Sequence, residues 1–294
     1  MKLRVLILGY GEMGHALEYL LAERHEVSIW SLGSTTILEE ETAKAQVILF
    51  CLPANAHREI SRRIEPHLAE GSLCLSIAKG LDESGLTAPQ VFASVLSDKH
   101  RYGVIYGPMI SEQIRMGGYS FADVALSDAD DFETIRSLFQ GSRLICRQVE
   151  DMSGSSWSVI LKNVYAIMFG VSDELKLGDN MRGYLVVTAL AELSDIVKSL
   201  GGKAQTPFSY AGLGDLLSTA TSENSHHHEL GCKLASGDYA DISGEGVHTL
   251  KMVDKYHLFD RQAYPLFTLV NDIVATPATL KNRVEVYLRQ IRTW

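Results

Sequence analysis

The sequence predicts an α/β N-terminal domain with a mostly parallel sheet over residues 1–149, followed by an all-α C-terminal domain over residues 150–294. Three observations carry this prediction. Short apolar runs alternate with helical patterns up to about Val149. The first of these runs passes straight into Gly9-Tyr10-Gly11-Glu12-Met13-Gly14 and then a helical pattern. From Ser153 onward, long helical patterns succeed one another with no clear strand. A chain of 294 residues also suits two cores better than one.

Leu3 to Leu8 is a continuous apolar run, the pattern of a strand covered on both faces in a parallel sheet. The G-x-G-x-x-G that follows sits between this strand and a helix carrying Ala16, Leu17, Leu20 and Leu21. In that context it predicts a Rossmann-like dinucleotide site. Gly9 permits the turn, Gly11 lets the backbone approach a pyrophosphate, and Gly14 lets the helix lie close to the strand. Glu12 and Met13 stand at the helix N-terminus, where phosphate charge is favoured. The alternative is a Gly-rich turn with no ligand. Glu26 to Trp30 reads as the second strand, and its end, Ser31-Leu32-Gly33-Ser34-Thr35-Thr36, has neither acid nor base. The missing carboxylate favours tolerance of NADP without deciding between NAD and NADP. Glu39-Glu40-Glu41 reads as a solvated helix face.

Ala45 to Leu52 is a third buried strand ended by Pro53, with a helix over about 56–68. Ser72 to Ile77 leads into Ala78-Lys79-Gly80. Open α/β sheets bind ligands at the carboxyl ends of their strands, so Lys79 is placed to face the nicotinamide side. A solvated loop lysine is the alternative. Tyr102 to Tyr106 runs into Gly107-Pro108-Met109-Ile110-Ser111. Ala122 to Leu126 and Arg143 to Cys146 complete the sheet, with a helix over about 131–139 between them.

In the second domain, helices are expected near 153–175, 179–200, 226–236, 246–257, 263–275 and 279–292. No Pro/Gly/Ser linker separates the halves, which predicts tightly packed domains with the site between them. Leu161-Lys162-Asn163 introduces one lysine into the apolar run through Val164 to Gly170. A lysine out of water needs a partner, and burial depresses its pKa toward proton transfer. A snorkelling side chain is the plainer alternative. Asp215, in Gly212-Leu213-Gly214-Asp215-Leu216-Leu217, is a candidate partner or a helix N-cap. His226-His227-His228 does not predict a metal site, because consecutive helical residues point in different directions.

The net charge of −9 argues against nucleic-acid and anionic-membrane partners. Cys51, Cys74, Cys146 and Cys232 have no metal spacing and read as reduced thiols. The apolar run after Met1-Lys2 stops at Gly9, too short for a signal h-region, and no stretch approaches the ~18 apolar residues of a membrane span. A cytoplasmic, soluble protein is expected. The helical domain's apolar faces could support a homodimer.

Taken in order, these elements resemble the NAD(P)-dependent glycerol-3-phosphate dehydrogenase family along the whole chain. Gly9 to Gly14 matches its dinucleotide loop and Ala78-Lys79-Gly80 its K-G element. Gly107-Pro108 resembles the start of G-P-S-F-A. Leu161-Lys162-Asn163 with Gly178-Asp179-Asn180 matches L-K-N…G-D-N. Gly212 to Leu216, Thr219 and Ser222 resemble G-L-G-D-L…T…S, and Glu245-Gly246-Val247 with Thr249 resembles a late E-G-v-x-T. The resemblance implies reversible hydride transfer from NAD(P)H to dihydroxyacetone phosphate, giving glycerol 3-phosphate for glycerophospholipid metabolism. It implies Lys162 as the general acid, Asp215 as its orienting partner, and Lys79 as a further catalytic residue. Gly9, Gly11, Glu12, Met13, Gly14, Lys79 and Glu245 would hold the cofactor. Lys79, Gly107, Lys162, Asn163, Asp215, Thr219, Ser225, His226 and His227 would hold a small anionic substrate, a triose phosphate.

The chain departs from the family where the substrate is held. Family S-R-N reads Ser225-His226-His227 here, and the serine of G-P-S is Met109. The segment between the second and third strands is short for the family. An always-charged bidentate Arg is not equivalent to a partly charged His. Arg182 stands where the family often has Lys, and would leave one cation. Two other readings follow: a paralogous dehydrogenase for another small hydroxy or keto substrate, and a non-catalytic NAD(P)H-binding sensor.

Overall fold

A computed structural model describes residues 2–222 and 225–293. Its first strands are the apolar runs: β1 (Arg4–Leu8), β2 (Glu26–Trp30), β3 (Val47–Phe50) and β4 (Leu73–Ser76). β5 (Arg101–Tyr106), β6 (Ser120–Leu126) and β7 (Leu144–Gln148) complete one sheet of order β2-β1-β3-β4-β5-β6-β7. All neighbours are parallel except β5 and β6. Helices α1 (Glu12–Leu21), α2 (Leu38–Lys44), α3 (His57–Ile64), α4 (Ala88–Val95), α5 (Ser111–Arg115) and α6 (Phe132–Phe139) connect them.

The strands read as unbroken apolar runs because both faces are covered. Alternate residues Val5, Ile7, Leu49 and Leu75 pack with Leu17 and Leu21 of α1 and Ile135 of α6. The intervening Leu6, Leu8, Phe50 and Cys74 pack with Leu38 of α2, Ile60 and Ile64 of α3, and Phe92 of α4. Each such large side chain contributes about 1.5–3 kcal/mol when fully buried. The order places β2 and β3 on opposite sides of β1. The carboxyl end of β1, where the Gly-rich turn begins, is therefore the point at which the winding reverses and ligands bind.

Seven helices follow among the described residues: α7 (Met152–Glu174), α8 (Asp179–Ser199), α9 (Asp215–Thr221), α10 (His226–Ser236), α11 (Glu245–Tyr256), α12 (Pro265–Ala275) and α13 (Leu280–Gln290). No strand occurs after Gln148 among the described residues. The chain forms two compact units, Met1–Ser156 and Trp157–Trp294. α7 is buried continuously from Gly154 to Ser172, which explains its apolar character on every side. It touches α10 glycine to glycine. A Cβ on Gly170 would lie 1.9 Å from the His228 carbonyl oxygen, and one on Gly231 would lie 2.0 Å from that of Ile167. Glu192 of α8 is buried and accepts the Leu266 and Phe267 amides at 2.7 and 2.9 Å, satisfying the N-terminus of α12. Tyr165 of α7 donates to the same carboxylate at 3.0 Å.

Three helices lie outside the sequence expectation. α4 is short, but Thr87 and Gln90 form a reciprocal capping box, a signal present in Thr87-Ala88-Pro89-Gln90. α5 is one turn long. α9 follows a π-helical turn, Tyr210–Gly214, whose glycines read as a loop. A Cβ on Gly212 would lie 2.1 Å from the Pro207 carbonyl oxygen, so the glycine permits a close approach there.

Candidate active site

In the first unit the Gly-rich turn has a separate reason for each glycine. Gly9 has φ of +95°, and a Cβ there would lie 2.6 Å from the Cys51 carbonyl oxygen at the end of β3. A Cβ on Gly14 would lie 2.3 Å from the Gly9 carbonyl oxygen. Gly11 instead faces open space, with nothing within 4 Å of a built Cβ. No side chain caps α1 at Gly11, so its first backbone N–H groups are left for a ligand. The cradle therefore fits a dinucleotide pyrophosphate. The Glu12 carboxylate is turned to Arg115 at 2.7 Å and Ser111 at 3.3 Å. Met13 packs against the core.

Lys79 lies on the loop after β4, and its Nζ donates to the Gly107 carbonyl oxygen at 3.1 Å, beside the end of β5. Both residues expected at the carboxyl edge are thus together. Met109 departs from expectation. It is buried in the apolar cluster with Leu17, Ile114 and Val124 and acts as a core residue rather than a lining of the substrate pocket.

In the second unit, Lys162 is held as the sequence suggests. Its side chain is 5% exposed and that of Asp215 4%, with Nζ 3.3 Å from Oδ2. Nζ also donates to Thr219 Oγ1 at 2.5 Å. Asp215 opens α9 and Thr219 lies one turn on, so a single short helix supplies both partners. The snorkelling alternative is excluded by this burial. Asn163, the next residue on α7, is also buried. Its carbonyl oxygen lies 2.9 Å from where a Gly246 Cβ would stand, and His227 Cδ2 lies 3.0 Å from the same point. Asn163, His227 and the Glu245-Gly246 start of α11 therefore form one cluster. Thr249 turns its hydroxyl to the Glu245 carbonyl at 2.8 Å.

The three histidines diverge. His226 is exposed. His227 Nε2 accepts the Gly246 amide at 3.2 Å, which places the ring proton on Nδ1 in the neutral form. His228 Nε2 donates to Asp173 Oδ2 at 2.6 Å. Ser225 is the N-cap of α10, accepting the His228 amide at 3.3 Å. Among the described residues, no group of three or more His, Cys, Asp or Glu is disposed to hold a metal ion.

Asp173 and His228 carry a contact that the sequence reading missed. Asp173 also receives Arg182 through Nε at 2.7 Å and Nη2 at 2.5 Å. Burial works against the Asp173 charge, but the hydrogen bonds from Arg182 and His228 outweigh it and hold the carboxyl below its usual range. Arg182, expected as a remaining substrate cation, is committed to this carboxylate. The available signal was spacing, because Asp173 lies about three turns beyond Lys162 on α7.

Comparison with known proteins is consistent with this geometry. Residues 31–131 match the model of the NAD-dependent glycerol-3-phosphate dehydrogenase N-terminus, and residues 151–285 match that of its C-terminus. A glycerol-3-phosphate dehydrogenase [NAD(P)+] from Acaryochloris marina is 31% identical over 271 residues, 89% of this chain and 87% of the relative. The chain belongs to the glycerol-3-phosphate dehydrogenase family. A glycerol-3-phosphate dehydrogenase [NAD(P)+] from Synechocystis is 29% identical over 98% of this chain and 93% of its own. The crystal structure of glycerol-3-phosphate dehydrogenase from Coxiella burnetii superposes with a TM-score of 0.87 at 25% identity, covering 98% and 99% of the two chains. Membership of this glycerol-3-phosphate dehydrogenase family makes the chain an NAD(P)-dependent oxidoreductase. No helix among the described residues is long and apolar enough to cross a membrane.

Proposed function

We propose that this chain reduces dihydroxyacetone phosphate reversibly to sn-glycerol 3-phosphate, with the first unit as cofactor domain and the second as catalytic domain. The observation that carries the reading is the buried Lys162 ammonium, held at 3.3 Å by Asp215 and at 2.5 Å by Thr219. NAD(P)H supplies the hydride when bound. Ketone reduction then needs a proton for the carbonyl oxygen and a cation beside it as negative charge grows. Lys162 meets both needs. Its Nζ holds the proton, and Asp215, 3.3 Å away, fixes the direction of the ammonium. Thr219 acts on the substrate through Lys162, by accepting from Nζ. Lys79 and Gly107 are assigned to the carboxyl edge of the sheet, where they would bind substrate and cofactor. Asn163, His227 and Glu245 are assigned to substrate and cofactor polar groups. Ser225 supports them by capping α10. His226, exposed at the first position of that helix, is the residue that would reach the substrate phosphate.

One observation favours a second reading, another small keto or hydroxy substrate: Arg182 is engaged by Asp173 and His227 Nε2 by Gly246, which leaves a reduced cation supply for a phosphate. Oxidation of NADH and NADPH with dihydroxyacetone phosphate, alongside a panel of other small ketones, decides between them. Failure to oxidise either cofactor with dihydroxyacetone phosphate refutes the first reading, and turnover of another ketone then establishes the second. A cytoplasmic setting fits the free cysteines Cys51, Cys74, Cys146 and Cys232. A homodimer fits the exposed Val187, Phe208 and Val286, and sedimentation of the purified chain tests it.

A further inference from the structure

Lys79 stands on a loop whose geometry is set from beneath by residues with no role in the chemistry above. His57, at the start of α3, is fully buried, with its ring centroid 5.1 Å from that of Phe50 and 5.8 Å from that of Phe92. Its Nδ1 lies 3.1 Å from the Pro53 carbonyl oxygen, and its Nε2 lies 2.8 Å from Ser76 Oγ. Ser76, the last residue of β4, accepts the Ala78 amide at 3.1 Å. These contacts allow one proton arrangement. A carbonyl only accepts, so Nδ1 carries the ring proton and Nε2 is the acceptor. The Ser76 hydroxyl therefore donates to Nε2, and its lone pair takes the Ala78 N–H. Burial keeps the ring neutral, with its pKa lowered to about 4.

The other end of the loop is held by the next residue on α3. Arg58 donates through Nε and Nη2 to Asp82 Oδ2 at 3.0 and 2.7 Å. Asp82 Oδ1 accepts the Ser84 and Leu86 amides at 2.8 and 2.9 Å. Residues 78–81 thus run between two side-chain anchors from adjacent positions of one helix. Lys79 lies between them, reaching Gly107.

We infer that His57 is a positioning residue for Lys79, acting through Ser76 on the Ala78 amide and so setting the backbone from which the ammonium projects. The inference rests on the reading of Lys79 as a ligand-facing cation. It assigns His57 no contact with substrate or cofactor. It also explains why a polar ring is retained between two phenylalanines, since an apolar residue there would leave the Ser76 hydroxyl without its acceptor.

The test reads Lys79 directly. Competitive acetylation of the intact protein, resolved by peptide mass, gives the reactivity of Lys79 relative to surface Lys44. Ser76→Ala and His57→Leu should each change this ratio by about fivefold, the factor that one buried hydrogen bond carries. His57→Gln, which retains one donor and one acceptor, should restore it. Cys74→Ala, a truncation on the same face of β4, should leave it at the wild-type value. An unchanged ratio in both Ser76→Ala and His57→Leu overturns the inference, as does an equal change in Cys74→Ala. In turnover of dihydroxyacetone phosphate, Ser76→Ala should lower kcat/KM, with no additional loss when Lys79 is already alanine. A wild-type chain inactive on that ketone, but with the predicted acetylation pattern, fails the function reading and leaves the positioning role standing. An active chain without that pattern does the reverse.

Discussion

Replacing Lys162 with methionine, Asp215 with leucine, and both together separates what the buried pair does for stability from what it does for chemistry. Nζ and Oδ2 are 3.3 Å apart on side chains 5% and 4% exposed. At that separation their attraction is about 5 kcal/mol for an effective dielectric of about 20. Desolvation of the two ions costs several kcal/mol each, so the net contribution of the intact pair is near zero. Either single replacement keeps one ion's desolvation cost and removes the attraction, and should destabilise by about 3–5 kcal/mol. The double replacement removes both ions and should lie within about 1–4 kcal/mol of the wild type, on the stable side. Turnover should behave differently. Lys162→Met and the double variant should both lose about two to four orders of magnitude, the scale of a lost general acid. Urea midpoints, with the slope checked for constancy, give the stability ranking, and NAD(P)H oxidation gives the activity. A double variant as unstable as the two singles combined would refute the electrostatic reasoning. Turnover surviving in Lys162→Met would refute the assignment of the proton donor.

Four further outcomes are expected. Gly11→Ala, at φ −85° with open space around a Cβ, should fold with an unchanged Tm yet weaken NAD(P)H binding at least about tenfold by filling the cradle. Gly14→Ala, with its Cβ 2.3 Å from a backbone oxygen, should lower Tm as well, and fluorescence titration beside calorimetry separates the two. Gly170→Ala should part α7 from α10, costing about 1–3 kcal/mol of overpacking and raising KM for the ketone by moving His227 relative to Asn163, both read from urea midpoints and steady-state kinetics. Burial raises the Glu192 carboxyl above its usual range, against the hydrogen bonds from Leu266, Phe267 and Tyr165. The folded state therefore holds that proton more tightly than the unfolded one, so this group's contribution to stability falls as pH rises from the ordinary glutamate range through its raised pKa. Glu192→Gln should flatten that part of the stability–pH curve while costing about 1–3 kcal/mol for the displaced α12 amide, and a curve parallel to the wild type's would contradict it.

Much of the first unit was legible because its signals are local. A strand buried on both faces has to be apolar throughout, and a tight turn against a neighbouring strand has to be glycine, so Leu3–Gly14 declares itself without tertiary information. The long helices of the second unit declare themselves in the same way. α4 is marked in the sequence only by its capping box, whereas α9 is concealed by the glycines of its π turn.

The sequence by itself determined the two-part architecture and the glycine turn after β1, and marked Lys162 and Asp215 as a candidate acid and its candidate partner. Only the tertiary structure decided how polar groups distant in sequence are shared out. Arg182 is taken by Asp173, Met109 goes to the core, and three consecutive histidines go to solvent, to the Gly246 amide and to Asp173. Spacing along a chain reports which face of an element a residue occupies, but a hydrogen bond depends on which other element meets that face. For the same reason the sequence marked Lys79 as a cation at a strand end, while the anchoring of its loop by His57, Ser76, Arg58 and Asp82 emerged only once α3 was seen packed beneath β4.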